Sequence, residues 1–143
     1  MLIDHVLRLR VYETARGREG HIDWKGPTQY EHGYKVREEL STRIGDADAA
    51  AEILENLGYS VILEIDRHIW QYSLGQATIR FERYPRMDDL VEVEGPPEAI
   101  ENGISVIGLD RSGYSADRLT DFVARFEART GEPAILSQPV PSS

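Results

Sequence analysis

The chain has 143 residues, no cysteine and a formal net charge of −9. That length suits one domain with a core of its own, and the missing thiols exclude disulfides and thiolate-held metals. An acidic balance argues against a nucleic-acid partner, which needs a basic face, although a cleft can still gather cations locally.

No run approaches the roughly 20 apolar residues of a bilayer span. The opening Met1-Leu2-Ile3-Asp4-His5 lacks a basic segment followed by an apolar one. The expectation is a cytoplasmic chain with no membrane partner.

In residues 3–12, Leu7, Leu9 and Val11 alternate with Arg8 and Arg10, the period of a half-buried strand. Gly17 and Gly20 mark a turn, a second strand covers 21–25, and Gly26-Pro27 ends it. A third strand over 34–43 sets Lys35, Arg37, Glu39 and Ser41 on one face. Asp46 is placed to cap a helix striped by Ala50, Ile53, Leu54 and Leu57, and Gly58 to end it.

Strands at 60–71, 76–84 and 88–95 follow, with turns at 73–76 and 85–87. Pro96-Pro97 opens a helix over 97–107. Ser115 is placed to cap a last helix over 116–129, with Leu119, Phe122, Val123 and Phe126 as its stripe and Gly131 behind it. Residues 136–143 read as a flexible tail. The expectation is a single domain over 1–135 with six strands and three helices.

An antiparallel sheet ordinarily turns its polar face to water, and that reading serves any one of these strands. Taken together, the polar phases hold full charges of both signs: Arg8, Arg10, Lys25, Lys35, Arg37, Glu39, Arg67, Arg80, Glu82, Glu92 and Glu94. Such charges, converging inside a barrel with helices outside, must compensate one another or bind a ligand. Arginine forks suit phosphate oxygens. Carboxylates two apart on a strand, as in Glu92 and Glu94, suit a hard divalent ion such as Mg2+ or Mn2+.

Five strings in order carry a family likeness. They are Leu7-Arg8-Leu9-Arg10, Asp23-Trp24-Lys25-Gly26-Pro27, Tyr34-Lys35-Val36-Arg37-Glu38-Glu39, Phe81-Glu82-Arg83-Tyr84-Pro85, and Asp89-Leu90-Val91-Glu92-Val93-Glu94-Gly95. Over residues 4–128 the chain resembles the CYTH family, named for class IV adenylate cyclase and thiamine triphosphatase, whose members form a triphosphate tunnel. The resemblance implies that Arg8, Arg10, Lys25, Arg37 and Arg67 grip phosphate. It also implies that Glu92 and Glu94 bind divalent metal, with Glu82 and Glu39 nearby. Lys35 and Arg80 join the phosphate set by phase, Arg80 because it lies in step with Glu82.

The chain departs from the family at the opening Glu-x-Glu-x-Lys strand, which no segment supplies. A Lys-x-Arg pair appears as Ile65-Asp66-Arg67, Ser41 stands where a second glutamate is usual, and Glu82 stands for an aspartate. A longer native chain, a second copy pairing along the exposed barrel edge, or a binding module without catalysis would each account for the missing strand.

The histidines at 5, 21, 32 and 68 form no metal-spaced cluster, and Trp24 and Trp70 read as packing between sheet and helix. The fold expected is α+β, an incomplete antiparallel β-barrel with three helices packed outside. The function expected is divalent-metal-dependent binding of a triphosphate (tripolyphosphate, thiamine triphosphate or a nucleoside triphosphate), with hydrolysis or cyclisation as its possible chemistry. The alternative is a catalytically inactive homodimeric module, either structural, with the same charges forming ion pairs, or polyphosphate-binding.

Overall fold

In the computed structural model, which describes residues 4–138, the alternation around Arg8 and Arg10 becomes strand β1 (Val6–Thr14). It folds back through Ala15-Arg16 onto β2 (Gly17–Lys25), pairing Thr14 with Gly17 and Val6 with Lys25. Gly17, at φ 117°, takes the left-handed conformation this tight turn requires. The second strand therefore begins at the turn itself, four residues before the expected 21.

The strand expected over 34–43 is interrupted. A separate hairpin, β3 (Gln29–Glu31) with β4 (Tyr34–Val36), is turned by His32 and Gly33, both at positive φ. β5 (Glu39–Ile44) then pairs with β2, giving the order β1-β2-β5. The break falls at Arg37 and Glu38. Arg37 donates to the carbonyls of Gly26 and Asp4, each at 2.7 Å, and Glu38 accepts from the Gly26 amide.

Helix α1 (Ala47–Asn56) follows, with Asp46 accepting from the Ala49 amide at 2.9 Å, as its cap position foretold. Its stripe is less buried than the spacing implies, since Ile53 and Leu57 are exposed.

The chain divides into two compact units after Ile62. In the second, β6 (His68–Leu74), β7 (Ala77–Arg83) and β8 (Leu90–Glu94) form an antiparallel sheet in that order. The strand expected from residue 60 starts only at His68. Before it, Ile65 packs against the buried cluster of Tyr84, Met87 and Phe126, and Asp66 is tied to the C-terminal segment. Its amide donates to the Leu136 carbonyl, and its carboxylate accepts from the Ser137 hydroxyl and the Gln138 amide. Residues 136–138 of the expected tail are thus held in place, and residues 139–143 lie outside the described residues.

Helix α2 (Pro97–Ile107) has the expected bounds. Gly103 lets it approach the sheet, because a Cβ there would stand 3.1 Å from Val93 Cγ1. Helix α3 (Leu119–Thr130) starts three residues later than expected. Asp121 accepts from the Arg118 amide at its N-terminus, and Ser115 instead bonds Asp117, so Ser115 is not the cap. The stripe of Leu119, Phe122, Val123 and Phe126 packs on Tyr84 and Met87 as its period required.

The fold is α+β, with three α-helices and antiparallel sheets among the described residues. Among the described residues no sheet closes on itself into a barrel, and no helix is long and apolar enough to cross a membrane.

Candidate functional site

Register gathers the charges of the first unit on one face. Arg8 lies opposite Asp23 and Arg10 opposite His21, while Asp23 lies opposite Ser41 and Lys25 opposite Glu39. Asp23 is the centre of this face, and among the described residues of the unit its side chain is the only buried one. Arg8 reaches it through Nε and Nη2, each 2.9 Å from Oδ2. Arg10 places Nη2 at 3.0 Å from Oδ1 and Nε at 2.6 Å from Oδ2.

The Ser41 hydroxyl donates to Asp23 Oδ1 at 2.6 Å, and Arg10 also contacts the Tyr12 hydroxyl. Burial pushes the Asp23 carboxyl up, but the hydrogen bonds from Ser41, Arg10 and Arg8 outweigh it and hold it down at about 2.

Lys25 and Glu39 pair at 3.2 Å on the same face. Two expected phosphate ligands lie elsewhere. Lys35 sits on the small hairpin opposite Tyr30, and Arg37 spends its guanidinium on backbone carbonyls. Asp23 was missed as a site residue. Its step of two from Lys25 and from His21 was the signal that would have placed it on the charged face.

The second unit carries a face of opposite balance. Arg80 lies opposite Gln71 and Glu92. Its Nη1 stands 3.7 Å from Glu92 and 3.1 Å from Glu94, and its Nε donates to Gln71 at 2.9 Å. Burial raises the Glu94 carboxyl and the neighbouring Glu92 adds to the rise, with Arg80 opposing both.

Beside them Glu82 is buried. Its Oε2 accepts from Arg67 at 2.8 Å and from the Tyr84 hydroxyl at 2.7 Å. Burial and the bond to Glu82 push Tyr84 up to about 12. Burial works against the charge on Arg67, yet Glu82 and Tyr84 hold its pKa above the ordinary value.

The donor chemistry here fits a hard cation in part. Two carboxylates satisfy a Mg2+ ion that keeps several waters or phosphate oxygens, and Glu82 Oε1 is buried without a hydrogen-bond partner. Among the described residues, however, no three His, Asp or Glu side chains are grouped so as to hold a metal ion by themselves. Any metal held by Glu92 and Glu94 would therefore need more ligands than the described carboxylates and imidazoles supply there, such as water or phosphate oxygens.

No family model matches the sequence, and no curated protein does. Among solved structures the chain is similar to a conserved hypothetical protein from Pyrococcus furiosus, at 21% identity and a TM-score of 0.66 over 83% of this chain and 75% of that one. It is also similar to the PH1819 protein from Pyrococcus horikoshii OT3, at 22% identity and a TM-score of 0.69 over 85% and 74% of the two chains. The PH1012 protein of the same organism gives 20% identity and a TM-score of 0.62 over 82% and 74%. These likenesses show a shared fold.

Proposed function

We propose that this chain is a cytoplasmic, CYTH-like module that binds a triphosphate together with Mg2+ or Mn2+. The incomplete barrel and the single domain over 1–135 belong to the same proposal. The observation that carries it is the paired-arginine face. Arg8 and Arg10 converge on one point beside Lys25, and Asp23 fixes their orientation. Guanidinium groups held side-on by a carboxylate keep outward N–H groups for a phosphate oxygen.

Glu92 and Glu94 are the metal ligands of this reading, with Glu82 as the carboxylate beside them in the second unit and Arg67 and Arg80 as further phosphate contacts there. The metal would neutralise charge on the phosphate oxygens. Phosphate release or cyclic-nucleotide formation is the activity to assay.

A thermal-shift titration with tripolyphosphate, with and without Mn2+, tests it. The expected result is a rise in Tm that needs both components and grows with concentration by mass action. The double variant Glu92→Gln, Glu94→Gln should keep its fold and lose the metal dependence. A wild-type Tm unmoved by any combination would sink this reading.

A second reading has its own support. The cations of both faces already have carboxylate partners: Asp23 for Arg8 and Arg10, Glu39 for Lys25, Glu82 for Arg67, and Glu92 with Glu94 for Arg80. A catalytically inactive homodimeric module held by structural ion pairs would carry this pattern and ignore triphosphate.

A further inference from the structure

The face of β6-β7-β8 opposite its charges is only half covered. Helix α2 lies over the end formed by Ala77, Ile79 and Val93. At the other end Trp70 and Tyr72 stay 45% and 57% exposed, and Phe81 is exposed beside them. Trp70 lies opposite Phe81, and Phe81 opposite Val91. The Tyr72 and Phe81 rings meet edge-on at 5.9 Å. Together with Leu109 these side chains border a cleft of about 470 Å³.

Charge narrows what can lie there. The chain carries a net −9, so two copies repel through most of their surface. This patch is balanced: its charged rim is Arg83 and Asp89, paired at 2.9 Å, with the Arg83 guanidinium 5.5 Å from the Trp70 ring. A patch with an aromatic centre, one cation and one anion is complementary to its own copy under a two-fold rotation, which can bring Arg83 of each chain to Asp89 of the other. Exposed aromatics with an arginine are also the composition of interface centres.

The strand bordering the patch agrees. β6 is an edge of its sheet, and His68-Ile69-Trp70-Gln71-Tyr72-Ser73-Leu74 contains no Asp, Glu, Lys, Arg or Pro. Those are the residues that guard edges against pairing.

We propose that this aromatic face is the docking surface for a second copy of the chain, in a two-fold interface centred on Trp70, Tyr72 and Phe81 and rimmed by Arg83 and Asp89. It gives a location to the homodimer of the second reading and stands whether or not triphosphate binds.

Sedimentation velocity over a concentration series tests it, with circular dichroism melts confirming the fold of each variant. Wild type should dimerise. Trp70→Glu and the milder Tyr72→Ser should weaken the dimer by at least about tenfold, roughly the loss of one interface anchor. Leu40→Glu, an exposed apolar position in the first unit, should leave it intact.

Arg83→Asp and Asp89→Arg should each be largely monomeric alone, because like charges then face one another, and should form a heterodimer when mixed. A monomeric wild type overturns both this surface and the homodimer, leaving the cleft to a different occupant. A wild-type dimer indifferent to Trp70 and Tyr72, or charge variants that do not rescue each other, overturns the surface alone.

Discussion

At Asp23 one carboxylate holds two arginines and a serine hydroxyl, so its charge matters to stability as well as to any ligand. Asp23→Asn keeps the size of the side chain and removes the charge. Breaking a buried ion pair from one side costs about 3–5 kcal/mol. Arg8 and Arg10 are partly exposed and can turn to water, so the expected cost is nearer about 2 kcal/mol, read from urea unfolding at pH 7.

The pH dependence has a definite sign. The folded-state carboxyl is held at about 2 against an ordinary 3.8. Its contribution is therefore present above pH 3.8 and is lost as the pH falls towards about 2. The gap between wild type and Asp23→Asn should close over that window. A gap that stays constant with pH would mean that Asp23 acts through packing and not through charge.

At this scale much of the site was legible, because side-chain phase in a strand is fixed by alternation. Arg8, Arg10, Lys25 and Glu39 do share a face, as do Arg80, Glu92 and Glu94. Arg37 was not legible, since a long side chain can leave its phase to satisfy carbonyls where a strand breaks.

Turns and caps decide how the elements meet, and Gly95 is the sharpest case. It ends β8 at φ 143°, and a Cβ there would stand 2.6 Å from the Gln76 carbonyl oxygen. Both the backbone conformation and the close approach forbid a side chain. Gly95→Ala should cost about 3 kcal/mol, from strain of about 1–3 kcal/mol with the clash added. Gly45→Ala, where a Cβ meets open space, should stay within about 0.5 kcal/mol. Paired denaturant melts compare the two, and equal losses would show that the Gly95 backbone can move aside.

Elements with strong local signals came out of the sequence with good bounds. Pro97 opens α2 and Gly108 follows it at φ 79°, and Asp46 caps α1. The failures share a cause: β-forming composition marks a strand, but only a partner edge makes one. Residues 60–67 have the composition, and no ladder partner is placed beside them among the described residues. Likewise Ser115 looked like a cap until Asp121 bonded the Arg118 amide. Trp70 has the phase of a packed residue, but α2 covers only the far end of its sheet face.

The division of the whole chain falls in that same stretch. The two units part after Ile62, yet Tyr59-Ser60-Val61-Ile62-Leu63 has none of the Pro, Gly or repeated Ser that marks a linker. Val61 and Ile62 are 81% and 96% exposed. A protease needs several residues of extended, accessible backbone, which ladders and helices withhold. Other exposed chymotrypsin targets, such as Tyr30, Leu40 and Tyr72, lie in paired strands.

Limited chymotrypsin digestion of the full chain should therefore cut first after Tyr59 or Leu63, giving two fragments that correspond to the two units. Mass spectrometry of the earliest products reads the position. Proline substitution is a second handle: Val61→Pro should leave the melting curve nearly unchanged, because no ladder hydrogen bond of this residue is lost. First cuts inside β6 or α2, or a large loss of stability from Val61→Pro, would mean that residues 59–63 are paired in solution. The strand expected from residue 60 would then be present, joined to an edge with which it is not paired among the described residues.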